Sequence, residues 1–156
     1  MITPGTSHLT RVPAPEGVAP SPQYSHVVWG TGTFVAVSGQ CALDEKGEMV
    51  GVGDAAAQAR QVFDNLRRCL AAAGAGFDDV VKLTYFVTDM AHLPALREAR
   101  AAALTTDRLP ASSAVQVSAL FRPELLLEVE AFAIVPPRPE PGSGSGPGSG
   151  QGPDQA

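Results

Sequence analysis

The segment Leu125–Val135, LLLEVEAFAIV, limits what this chain can fold into more than any other stretch. Side chains alternate along a strand, so Leu125, Leu127, Val129, Ala131, Ala133 and Val135 share one face. That face is apolar throughout and has to be covered. Leu126, Glu128, Glu130, Phe132 and Ile134 share the other, which places two carboxylates about 7 Å apart by strand rise beside a Phe and an Ile. A solvated face does not usually carry that much apolar surface. A mixed face on the open side of a sheet suggests a subunit interface or a pocket. The pattern leaves two readings of the glutamates open. They are outward-facing residues pairing with Arg or Lys on neighbouring strands, or one of them is an acid/base group at the rim of an oligomeric cleft.

The cover for the apolar face is legible upstream. Residues Asp54 to Ala73 carry Val62, Leu66, Cys69, Leu70 and Ala73 at the spacing of a 3.6-residue stripe. Asp54 suits the N-cap and Gly74 the stop. Cys69 reads as a small core residue on that stripe. Leu93 to Thr105 reads as a second helix with Pro94 in its first turn. Strands are expected in DDVVKLTYFVTDM, in SSAVQVSAL and in YSHVVWG and FVAVSGQ, the last two joined by a Gly-containing turn. CALDEKGEMVG reads as a polar loop, with room for a short strand at its end. The expected class is α+β: one mixed six-stranded sheet with two helices on one face. Residues 1–22 read as an extended arm and 23–136 as the folded domain. Residues 137–156, rich in Pro, Gly and Ser, read as a disordered tail.

Composition narrows the partners. The net charge is −5 and no cluster of Lys and Arg suits a phosphate backbone. This argues against nucleic acid as the main partner. Arg60, Arg67 and Arg68 share one helical segment and read as a solvated face, with a local basic patch as the alternative. The N-terminal stretch lacks the apolar core of a signal peptide, and no apolar run is long enough to span a membrane. The expectation is a cytoplasmic protein, not bound to membrane, with Cys41 and Cys69 as free thiols. His8, His26 and His92 are scattered without metal-ligand spacing, and no nucleophile elbow, phosphate loop or dinucleotide fingerprint is present.

Taken together, Tyr24-Ser25-His26, Ser38-Gly39-Gln40, QARQVFDNL, DDVVKLTYFVTDM, LPASSAVQV and EVEAFA resemble the Rid (YjgF/YER057c/UK114) family of reactive-intermediate deaminases. The likeness runs from about Tyr24 to Val135. It implies a chorismate-mutase-like fold assembled as a homotrimer, with open sheet faces closing a central barrel and sites in the clefts between subunits. It implies hydrolysis of small enamines and imines to carbonyl product and ammonia, without a cofactor or metal. Carried over by position, Glu128 matches the glutamate that activates water. Tyr24 matches a cleft tyrosine, and Ser38 and Gly39 match site-lining residues. Ala114 matches a small residue whose backbone meets the substrate, and Glu130 is expected to be structural.

One position departs. Archetypal members carry an arginine that grips the substrate carboxylate where this chain has Ser112, within Pro110-Ala111-Ser112-Ser113. A serine supplies neither charge nor a fork of donors. The loss is worth several kcal/mol, at roughly 1.5–3 kcal/mol for each charged hydrogen bond. Arg97, where archetypal members have Asn, or Arg122 in the following loop restores a cation, or both are surface arginines. His26, two residues from Tyr24, is a further candidate for the cleft lining. The readings are therefore a deaminase with altered substrate range, a non-catalytic metabolite-binding trimer, or a biosynthetic enzyme reusing the cleft. A ribonuclease ranks last on charge.

Overall fold

The computed structural model describes residues 7–137, so most of the expected tail lies outside the described residues. Among the described residues the chain forms six strands, two α-helices and two single-turn 3-10 helices. The strands and α-helices are β1 (Leu9–Val12), β2 (Val27–Gly30), β3 (Thr33–Gln40), α1 (Ala55–Ala72), β4 (Val80–Val87), α2 (Leu93–Ala103), β5 (Ala111–Gln116) and β6 (Leu127–Val135). The α+β class and the two helices on one face of a mixed sheet are as read from the sequence. Six strands are present but divide into two sheets, a correction to the single sheet expected. The main sheet has the order β3-β6-β4-β5, and β1 pairs with β2 alone.

The division has a local cause. Residue pattern alone folds β2 back onto β3 through Thr31-Gly32. In the structure Gly32 has φ +151°, a conformation that L side chains rarely adopt, and a Cβ there would lie 2.0 Å from the Val135 carbonyl oxygen. The chain passes tightly over the end of β6, and β3 pairs with β6 from Thr33 opposite Val135. β2 is left to pair with the arm, Leu9 opposite Gly30 through Val12 opposite Val27. Part of the arm is thus a strand. The expected strand at the end of the polar loop reduces to a single bridge, Leu43 to Met49.

β6 runs antiparallel to both neighbours, and β5 lies parallel to β4 after the α2 crossover. Leu127, Val129, Ala131 and Ala133 are fully buried beneath α1, whose Val62, Leu66 and Leu70 are also fully buried. Each such leucine contributes about 1.5–3 kcal/mol of burial free energy. Asp54 caps α1 by accepting from the Ala57 amide at 2.9 Å. Gln58 is fully buried, and its side chain donates to the carbonyls of Gly51 and Glu124 and accepts from the Leu126 amide. Every polar atom of that amide is paired, which fixes the entry of β6 and with it the placement of Glu128.

Among the described residues no helix covers the second face of the sheet. Glu128, Glu130, Phe132 and Ile134 of β6 lie there, half-buried, beside Phe34 of β3, Phe86 of β4 and Val115 of β5. Phe34 is 64% exposed and rests on Phe132 with ring centroids 5.6 Å apart. No helix among the described residues is long and apolar enough to cross a membrane.

Candidate functional site

The carboxylate of Glu128 is placed by a β-bulge. Val37 faces Ala131 and Gln40 faces Val129, so Ser38 and Gly39 together oppose Glu130 alone. An extra residue in one strand bends it and re-aims the side chains beyond it. Here it brings the Gly39 backbone against Glu128. A Cβ built on Gly39 would lie 1.8 Å from Glu128 Oε1. Ser38 is exposed, and its carbonyl accepts from the Gln40 side chain at 3.0 Å.

The other carboxylate oxygen has a donor. Cys41 Sγ lies 3.5 Å from Glu128 Oε2. Burial, followed by the Glu128 charge and the hydrogen bond to it, pushes the thiol pKa up to about 12. At neutral pH Cys41 is a protonated donor and not a nucleophile. Its backbone is held in turn by Asn65, whose side chain donates to the carbonyls of Cys41 and Leu43 at 3.1 and 3.0 Å. Gln61 donates to Asn65 Oδ1 at 2.9 Å. The polar side of α1 therefore fixes the strand end that fixes Glu128. A wide cavity of about 680 Å³ opens here, lined by Gly39, Cys41, Asn65, Cys69 and Phe121 among others.

Neither Glu128 nor Glu130 makes an ion pair among the described residues. Lys82, on the same open face, donates instead to Ser113 Oγ at 2.7 Å. The pairing with neighbouring Arg or Lys that pattern alone allowed is not formed.

Tyr24, Arg97, Ser112 and Ala114 meet around a second, smaller cavity of about 120 Å³ with Gln23, Tyr85 and Arg100. Ser112 pairs in register with Leu83 and Ala114 with Tyr85, so both side chains point to the helix side of the sheet. Glu128 pairs with Phe86 and points to the open side. One protomer thus keeps two groups of candidate residues apart: Glu128, Gly39 and Cys41 in one, and Tyr24, Arg97, Ser112 and Ala114 in the other. Of the remaining candidates, His26 touches Tyr24 edge-on at 5.1 Å between ring centroids and bonds the Ala19 carbonyl. Arg122 donates to the Gly47 carbonyl at 3.3 Å and lines neither cavity.

Sequence reasoning missed Cys41, Tyr85 and Arg100. Tyr85 carried a signal: a phenol on an otherwise aliphatic buried face needs a partner for its hydroxyl. Arg100, one turn beyond Arg97, looks like another surface charge.

The family described as Endoribonuclease L-PSP matches residues 15–135. The 3-aminoacrylate deaminase RutC of Acinetobacter baylyi is 39% identical over 102 residues, which cover 65% of this chain and 79% of that protein. The 2-iminobutanoate/2-iminopropanoate deaminase of Escherichia coli K12 is 36% identical over 106 residues, covering 66% of this chain and 80% of that protein. The crystal structure of a Rid-family protein, YyfB of Yersinia pestis, superposes with a TM-score of 0.73 at 37% identity, over 82% of this chain and 99% of that one. The match across the folded part and the shared architecture agree, and the chain belongs to the Rid (YjgF) family.

Proposed function

We propose that this protein hydrolyses small reactive enamines or imines to a carbonyl product and ammonia, in a cleft completed by a neighbouring copy of itself. The observation that carries the reading is the Glu128 carboxylate. It lies on an open sheet face, holds no cation, and is oriented by Gly39 and the Cys41 thiol. That is the arrangement of a carboxylate free to take a proton. Water adds to the C=N carbon and gives one proton to Glu128. Glu128 passes that proton to the nitrogen, then takes up the proton of the carbinolamine hydroxyl as the C=O forms and the C–N bond breaks, and ammonia leaves. An enamine first takes a proton at carbon to become the imine. The reaction needs an oriented water and one proton-transfer group, and no cofactor. The deaminase names of the A. baylyi and E. coli relatives support the same chemistry.

The two half-sites support the assembly. A cyclic arrangement of copies joins one patch to a different patch on the next subunit. A homotrimer with open sheet faces turned inward covers Phe34, Val115 and Phe132 and sets Glu128 of one copy against the Tyr24–Ser112 cavity of the next. Ser112 favours a second reading, in which the cleft binds a small metabolite without turnover.

Imine hydrolysis by the purified protein separates the two. An amino-acid oxidase generates imines from several amino acids, and semicarbazide traps whatever survives. The proposal expects the trapped imine to fall as the protein is added. Unchanged trapping with every amino acid, together with saturable binding of the keto acid, selects the second reading.

A further inference from the structure

Arg100 is only 8% exposed, yet no carboxylate lies within 4 Å of it among the described residues. A buried cation without a counter-charge is costly. Its fork is filled by neutral oxygens of one residue. Nη1 donates to the Gln23 carbonyl and Nη2 to Gln23 Oε1 at 2.7 Å. Nε is buried and has no partner. Tyr85, 5% exposed, is its neighbour: the hydroxyl is buried and makes no well-aligned hydrogen bond, and burial pushes its pKa up to about 12 against the pull of the adjacent Arg100 guanidinium. A buried guanidinium and the phenol beside it, neither Nε nor the hydroxyl with a well-aligned partner, therefore belong to residues lining one cavity, together with Ser112 and Ser113. Arg97 stands exposed on the same wall, one turn earlier on α2.

We infer that Arg100 and Tyr85 recognise the carboxylate of a small 2-imino or 2-oxo acid in this cavity, doing from α2 and β4 what Ser112 cannot do from β5. The inference rests on the proposed imine chemistry and names its substrate class. An arginine edge and a phenol offer donors to both oxygens of a carboxylate. The cavity, about 120 Å³, holds a carboxylate and a short aliphatic chain and little more. Gln23 presents the guanidinium with two oxygens, as a carboxylate does, and lies in a stretch without regular secondary structure between β1 and β2. The incoming carboxylate displaces the Gln23 side chain, so Gln23 holds the empty site together until ligand arrives.

The test is calorimetric titration of the full chain with 2-oxobutanoate, the keto acid that imine hydrolysis leaves behind. Tyr85→Phe and Arg100→Met are each expected to weaken binding at least tenfold. Arg108→Met, which removes an exposed arginine paired with Asp78, is expected to leave it within twofold. Tyr85→Phe removes a hydroxyl without a well-aligned hydrogen bond and is expected to leave the melting temperature nearly unchanged. This separates lost recognition from lost folding if Arg100→Met is unstable. Equal binding by wild type and Tyr85→Phe, or no binding of 2-oxobutanoate by wild type, overturns the inference. Imine turnover with a KM indifferent to Tyr85→Phe sinks the inference and leaves the deaminase reading standing. Binding that depends on Arg100 and Tyr85 without turnover supports the inference and sinks the deaminase reading.

Discussion

Glu128→Gln slows imine hydrolysis by about 10²–10⁴-fold, the range expected for loss of a positioned general base. The glutamine keeps the size of the side chain and an oxygen for the Cys41 thiol, so the geometry around 3.5 Å between Sγ and the side chain is retained. What disappears is the capacity to accept a proton from water. Because the strand, the bulge and the core beneath are untouched, the melting temperature is expected to stay within a degree or two, and binding of a keto acid to persist. Steady-state imine consumption with thermal unfolding alongside checks both halves. A Glu128→Gln enzyme with wild-type turnover removes Glu128 from the chemistry altogether.

Gly39→Ala is expected to cost about 10²-fold in activity while barely changing stability. The added methyl would sit 1.8 Å from Glu128 Oε1 and 2.7 Å from its Cδ, closer than any real contact. The backbone of the bulge is pinned by the β3–β6 ladder on both sides, whereas the end of a glutamate side chain can swing. The carboxylate therefore moves, by an ångström or more, and a misplacement of about 1 Å is worth about 10² in rate. A stability loss without an activity loss contradicts this account of why the residue is glycine. The kinetic signature is a fall in kcat with little change in KM, since the residues proposed to bind the substrate carboxylate line the other cavity.

Much of this arrangement is legible in the residues. The alternation in LLLEVEAFAIV puts Leu127, Val129, Ala131 and Ala133 in the core and the two glutamates on the open side, and the period of Val62, Leu66 and Leu70 supplies the helix that covers them. Asp54 announces its own cap. Pairing is the part that residue pattern does not carry. Thr31-Gly32 looks like a hairpin turn in isolation, and only the approach of Gly32 to the end of β6 shows that β2 and β3 belong to different sheets. LTRV in β1 is too short, and too close to prolines, to announce a strand. The Ser38-Gly39 bulge is a difference in register between two distant segments and leaves no local trace.

The site is legible by parts. Tyr24, Ser112, Ala114 and Arg97 are singled out through the family resemblance, and they share one cavity. Arg100 does not, because arginine is nearly always exposed and its burial here depends on Gln23, far away in sequence. Cys41 looks like a bystander thiol, since its contact with Glu128 spans 87 residues. Ser112 carries no charge, so the proposed carboxylate recognition needs its cation from another position. A residue type that is missing at one position is a signal only when the three-dimensional neighbours of that position are known.

Subunit mixing tests the central claim, a cleft whose two halves come from different copies, most directly. Glu128→Gln disables one half-site. Ala114→Phe fills the small cavity and disables the other. Each variant alone is inactive. The two are unfolded together in equal amounts and refolded as mixed assemblies. Random assortment in a cyclic assembly then leaves about a quarter of the clefts with both halves intact, and about a quarter of wild-type imine hydrolysis is expected to return. Activity no greater than that of the two separately refolded parents means that both halves act within one chain, and contradicts the shared cleft.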